Sequence, residues 1–313
     1  MKKILYSVFL LAIAAGCTKN EDLTGNDGDG LVPITISSGV DVTVKAPVTE
    51  GTPTITAGIA GWETSETEGP DYTEACKWNT AITFPPQTTA QAVTWTAQQY
   101  YNPTAEISTY MKAWYPAGTV VAETNKVTFT NNDGSVDALW ATPQHGNKTG
   151  NEVTLPFKHM TAQLNFEIKG ADGLENGTKL KSITVKSVQL PNGFDLTKDD
   201  AEAVTYATAA DLAVPNIASE GQVIDNTTFK SAGDAVMVKP QAELYIDVVT
   251  VSSGDKENEF LNRKVQIKND GTEGELLAGT AYTISLTFSQ EEIQLKASVE
   301  EWKETGSGTA TID

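Results

Sequence analysis

The sequence predicts an all-β protein built from antiparallel β-sandwiches, and three observations predict it. Apolar and polar residues alternate with a period of two in several segments, threonine occurs 42 times in 313 residues, and helical periodicity is scarce between closely spaced turn signals. Alternation puts one face of a strand in a core and the other in solvent. Many short strands without intervening helices argue against a parallel α/β sheet.

In chain order, residues 32–37 and 42–45 begin the series, with Val32, Ile34 and Ile36 on one face and Val42 and Val44 repeating the period. Residues 92–95, 110–115 and 127–130 follow, rich in β-branched and aromatic side chains and separated by turn formers such as Pro85-Pro86 and Asn132-Asp133-Gly134. The alternation is cleanest in Ala162-Gln163-Leu164-Asn165-Phe166-Glu167-Ile168-Lys169. Ile183 and Val185 share one face, but Val188 and Leu190 have the opposite parity, so a bulge is expected near Lys186-Ser187. Strands at 235–238, 244–251 and 260–268 come next. Two more, carried by Tyr282, Ile284, Leu286 and Phe288 and by Ile293, Leu295, Ala297 and Val299, complete the pattern. The polar stretch 141–151 reads as a linker between an N-terminal sandwich (residues 32–145) and a C-terminal one (residues 146–313).

Lys2 and Lys3 precede an apolar run at 4–15, and Ala14-Ala15-Gly16-Cys17 ends it with small residues before a cysteine. This resembles a bacterial lipobox, which implies removal of residues 1–16, lipidation of Cys17 and an outer-membrane lipoprotein. Several acyl chains exceed the two signals a stable anchor needs. Residues 17–31 are polar, acidic and glycine-rich, as expected of a flexible tether. Lys19-Asn20-Glu21-Asp22 partly resembles the surface-export signal of Bacteroidota lipoproteins, implying display at the cell surface.

The chain carries 22 Lys and Arg against 41 Asp and Glu, a formal net charge of −19. Such a surface repels phosphate, which speaks against nucleic-acid partners and against a polybasic membrane contact. With Cys17 lipidated, Cys76 is the only remaining cysteine, so no intramolecular disulfide is expected. The two histidines, His145 and His159, start no metal-ligand spacing, and the nucleophile-elbow, P-loop and dinucleotide motifs are missing. Asp199-Asp200, Glu291-Glu292 and Glu300-Glu301 are adjacent pairs that point apart on a strand, not a glycosidase pair across a sugar. No catalytic residue, metal or cofactor is therefore assigned. Six tryptophans, at 62, 78, 95, 114, 140 and 302, either pack in cores or, if exposed, stack on sugars.

Several separated features in order resemble the fimbrillin-like family of Bacteroidota, the subunits of type V pili. They are the lipobox at Cys17, Val42-Thr43-Val44-Lys45-Ala46-Pro47, Met111-Lys112-Ala113-Trp114-Tyr115-Pro116, the stretch from Leu155 to Leu164, and the ending from Gly279 to Trp302. The resemblance implies two transthyretin-like sandwiches with Greek-key-type connections and a role in adhesive surface filaments. It also implies a trypsin-like protease that cuts between Lys45 and Ala46 and releases a first strand carrying Val32, Ile34 and Ile36, with Val42 and Val44. The terminal segment of a neighbouring fimbrial subunit then fills the groove by β-strand addition. Ala310 and Ile312 mark a candidate donor in residues 303–313; a longer donor spanning 291–313 is the alternative. A different class of function is a non-polymerising surface lipoprotein that binds a glycan or host protein through exposed aromatics.

Overall fold

Strand follows strand through the described residues, 31–40, 53–67, 69–269, 272–289 and 293–300 of the computed structural model. The first ten strands are β1 (Thr35–Val40), β2 (Ile55–Thr64), β3 (Trp78–Phe84), β4 (Gln91–Ala92), β5 (Thr94–Trp95), β6 (Ser108–Tyr115), β7 (Thr119–Val121), β8 (Lys126–Thr128), β9 (Leu139–Gly146) and β10 (Glu152–His159). Eight of them form one sheet in the order β4-β1-β10-β9-β6-β2-β3-β5. The outermost members, β4 and β5, belong to one short segment, residues 91–95. Its first half pairs with β1 and its second with β3, so it joins the two ends of the sheet. The sheet thus closes on a core that includes Ile34, Ile36, Val40, Ile59, Phe84, Leu155 and Phe157. Closure removes the open edge that a sheet would otherwise offer to another chain.

The second half contains β11 (Ala162–Gly170), β12 (Lys179–Val188), β13 (Pro191–Asp195), a one-turn helix α1 (Asp200–Ala203), β14 (Val204–Tyr206), β15 (Ala210–Ala213) and β16 (Gln222–Val223). It continues through β17 (Lys230–Ser231), β18 (Val236–Val238), β19 (Leu244–Val251), β20 (Glu257–Val265), β21 (Lys268–Asn269), β22 (Thr272–Glu273), β23 (Thr280–Phe288) and β24 (Ile293–Glu300). One five-stranded sheet runs β17-β11-β23-β24 with β18 also on β11, and another runs β15-β12-β19-β20 with β16 on β12. The alternating apolar residues of β11, β12, β19 and β23 meet in a shared core of Leu164, Phe166, Ile183, Val185, Ile246 and Ile284, which makes this half a β-sandwich. The parity change in β12 is a bulge: its register shifts between Val185 and Val188, and Ser187 has a φ of 52°.

Residues 141–151 do not form the linker expected from their polarity. β9 runs to Gly146, and a tight turn at 147–150 leads straight into β10. Asn147 Oδ1 accepts the backbone N–H groups of Thr149 and Gly150, both at 3.0 Å, which satisfies the turn locally. The hairpin end is polar because it runs over the surface. The expected division at 145/146 falls inside this hairpin, and the change from the first sheet to the second falls at residues 160–161.

The two halves also share material. The four-stranded sheet β14-β13-β8-β7 draws two strands from each, with Phe194 of β13 opposite Val127 of β8. Its inner side covers the outer face of β2, β6 and β9, burying Trp62, Trp114, Trp140, Phe194 and Val204. Lys112 on β6 is fully buried there. Its Nζ donates to the carbonyls of Leu196 (3.0 Å) and Lys198 (2.9 Å), lies 2.7 Å from Asp199 Oδ1 and sits 3.6 Å above the Tyr72 ring. Burial lowers the Lys112 pKa, and the Asp199 carboxylate opposes that shift. The described residues from Leu31 onward pack as one compact unit.

Candidate functional site

The resemblance directs attention to β1, and its sequence explains its place. In Ile34-Thr35-Ile36-Ser37-Ser38-Gly39-Val40, even positions point inward: Ile34, Ile36, Ser38 and Val40 are buried, while Thr35 is exposed. Val32 packs partly buried against the same core. On one side β1 pairs in parallel with β10, from Thr35 opposite Glu152 to Val40 opposite Phe157. Ser38 Oγ donates to the Leu155 carbonyl at 2.8 Å, and Ser37 and Thr154 join their hydroxyls at 2.9 Å.

The other side is held by a strap, residues 87–101. The Val40 N–H donates to the Gln87 carbonyl (2.9 Å), Val93 N–H to Ile36 (3.1 Å), Ile34 N–H to Gln99 (2.9 Å) and Tyr101 N–H to Val32 (2.9 Å). Gln98 Nε2 adds a side-chain bond to the Ile34 carbonyl at 3.1 Å. Tyr101 closes the strap: its ring is 2% exposed, its hydroxyl lies 3.3 Å from the Asn151 carbonyl, and burial pushes its pKa up to about 12. Below β1, Phe84 and Phe157 stack with ring centroids 5.3 Å apart. Full burial of Ile34, Ile36 and Val40, at about 1.5–3 kcal/mol each, makes β1 an integral part of this core. Lifting it out leaves the flank of β10 unpaired and a groove lined by Leu155, Phe157 and Phe84.

Of the sequence-predicted site residues, the structure brings Val32, Ile34 and Ile36 together in this seam. Cys17, Val42, Val44, Lys45, Ala46, Ala310 and Ile312 lie outside the described residues. Residues 293–300, part of the longer donor, form β24, which pairs with β23 along its whole length from Ile293 opposite Phe288 to Glu300 opposite Ala281. The strap, Ser38, Gly39 and Tyr101 were not legible as a site. Their signal was slight: a small Ser-Gly pair interrupting an apolar alternation, and Pro85-Pro86 ahead of a glutamine-rich segment.

Chemistry elsewhere is structural. His159 is buried with Nδ1 2.7 Å from Asp137 Oδ2, and Thr161 donates to the other carboxylate oxygen at 3.0 Å. His145 stacks on Tyr110 with centroids 4.7 Å apart. Cys76 is half-buried, and burial raises its thiol pKa, the opposite of an activated nucleophile. Among the described residues no group of three or more His, Cys, Asp or Glu is placed to hold a metal ion. Trp62, Trp114 and Trp140 are buried, and Trp78 and Trp95 meet each other edge to face and pack partly buried against the first core.

The first sheet is completed by β1 around one core and the second half is a β-sandwich around another, which defines an all-β protein of packed sheets. A profile of the fimbrillin-like family matches residues 34–302, and the chain belongs to that family, which is not one of enzymes. The fold is similar to solved structures of a candidate cell adhesion protein from Bacteroides uniformis (TM-score 0.57, 20% identity, covering 89% of this chain and 100% of that one) and another from Bacteroides ovatus (0.56, 14%, 88% and 100%). A fimbrial protein from Bacteroides vulgatus is also similar (0.51, 15%, 86% and 99%). A search of curated proteins found no significant match.

Proposed function

We propose that this chain is a structural subunit of a cell-surface fimbria that polymerises by exchanging β1 for a strand of another subunit. The observation that carries the proposal is the seating of β1: it fills the first core, yet outside its ladder with β10 it is held by a strap contributing only a short pairing with β4 and isolated bonds. Lys45 follows five residues after the end of β1, so one cut between Lys45 and Ala46 severs the strand from the rest of the sheet. The precursor is a lipoprotein anchored to the outer membrane through Cys17, a trypsin-like protease removes the segment carrying Val32 to Val44, and other fimbrial subunits are the partners. Adhesion to a host glycan or protein is the property of the assembled filament.

The sequence of β24 supports a donor within 291–313. Its alternate positions Ile293, Leu295, Ala297 and Val299 supply four apolar residues in strand alternation. A tail donor at Ala310 and Ile312 offers only two modest apolar residues. Deletion of residues 306–313 separates the two: unchanged filament growth leaves the longer donor, and loss of growth restores the tail. The main test is incubation of purified precursor with a trypsin-like protease. Cleavage after Lys45 followed by polymers in electron micrographs is expected; chains cut there that stay monomeric refute the polymerising role. Trp62, Trp114 and Trp140 are buried and unavailable for stacking on a sugar, so a monomeric glycan-binding lipoprotein would have to rely on other aromatics such as the exposed Tyr100.

A further inference from the structure

The seam holds β1 by size at two adjacent levels. At the first, Ser38 points inward, has no exposed surface and spends its hydroxyl on the Leu155 carbonyl at 2.8 Å. Close-packed interiors accept added volume poorly, so a large side chain there displaces neighbours and loses that bond. At the second, the outer side of Gly39 faces the strap. A Cβ at Gly39 would lie 2.9 Å from the Gln87 carbonyl oxygen and 3.3 Å from both the backbone N and Cα of Ala90.

Gly39 is not among the residues with left-handed backbone, so space alone requires glycine there. The atoms in the way are backbone, not the yielding end of a long side chain. They are also anchored independently of β1, because Pro85-Pro86, with fixed φ, lead directly into the strap and Thr94 and Trp95 further along it pair with β3.

We infer that this pair of levels is a selectivity filter: a strand that takes the place of β1 beside β10 must carry a small residue at the Ser38 level and no Cβ at the Gly39 level. The filter rests on the exchange function proposed above and adds to it a rule for which subunit strands are accepted. The occupant is a strand from a second subunit, lying parallel to β10 in the register of β1. Apolar residues at the Ile34, Ile36 and Val40 levels give affinity. The two small levels reject strands that are merely apolar, by clash instead of by lost contact.

The test uses processed protein freed of its first strand and a fluorescent peptide of residues 31–41, with binding read by anisotropy. The native peptide and its Thr35→Ala variant are expected to bind alike, since Thr35 is exposed. Gly39→Ala and Ser38→Leu peptides are each expected to bind about ten-fold more weakly or worse, the size of an overpacking penalty. Equal binding of these two variants overturns the filter and leaves exchange intact, whereas failure of the native peptide overturns exchange and the filter with it. A second measurement needs no processing: in the intact chain Gly39→Ala should speed hydrogen exchange at residues 35–40 about ten-fold, and unchanged exchange there also overturns the filter.

Discussion

Truncation of Ile36 to alanine probes the seating of β1 most simply. Ile36 is 2% exposed, faces the first core and stands opposite Val153 in the β1–β10 ladder. Alanine keeps every backbone bond of the strand, including Val93 N–H to the Ile36 carbonyl, so the loss is one of packing. Removing a buried isoleucine side chain down to alanine costs about 2–5 kcal/mol, the spread reflecting how far the site collapses. At about 1.4 kcal/mol per tenfold, even the lower figure raises the population of chains with the seam open roughly thirty-fold. Hydrogen-exchange mass spectrometry of the intact chain reads this directly, comparing peptides over 32–40 with peptides over β19 in the second core. Faster exchange confined to the first core is expected. Unchanged protection over 32–40, or equal loss in both cores, refutes the idea that β1 opens as a local unit.

Three further perturbations follow from the packing. Lys112→Met leaves the carbonyls of Leu196 and Lys198 without their buried donor and should cost about 1–3 kcal/mol in urea unfolding; it should also speed exchange at 196–199 more than in β19. Gly58→Ala places a Cβ 2.4 Å from the Trp114 indole, so about 1–3 kcal/mol of overpacking is expected, read as a lower urea midpoint with altered tryptophan fluorescence. Burial raises the pKa of Tyr72 and Tyr101 to about 12 from an ordinary value of 10.0, so the folded state holds these protons longer than the unfolded chain. Their stabilising contribution is complete below pH 10 and is lost as pH rises towards 12; the urea midpoint should fall between pH 10 and pH 12, with a shallower fall in Tyr101→Phe.

Much of the fold could be read from strands with one wet face. The segments led by Ala162, Leu244 and Tyr282 alternate cleanly because each has a core on one side only, and the parity break at Lys186-Ser187 marked a real bulge. β2 escaped notice for the opposite reason. Ile55, Ala57 and Ile59 belong to the first core while Ala60 and Trp62 belong to the core behind it, so no polar face remains to mark the period. β10 alternates perfectly in burial but contains Pro156, a residue that demotes strand readings, and the hairpin before it looked like a linker. In the site, the apolar face of Val32, Ile34 and Ile36 was legible. The strap across it was not, because its hold on β1 is made largely by backbone groups of residues 87–101, which carry no side-chain signature.

The most direct measurement is mass spectrometry of the subunit in filaments sheared from the cell surface. Exchange of the first strand predicts chains that begin at Ala46, with peptides from residues 31–45 missing. Filaments built from chains that still carry residues 31–45 contradict it.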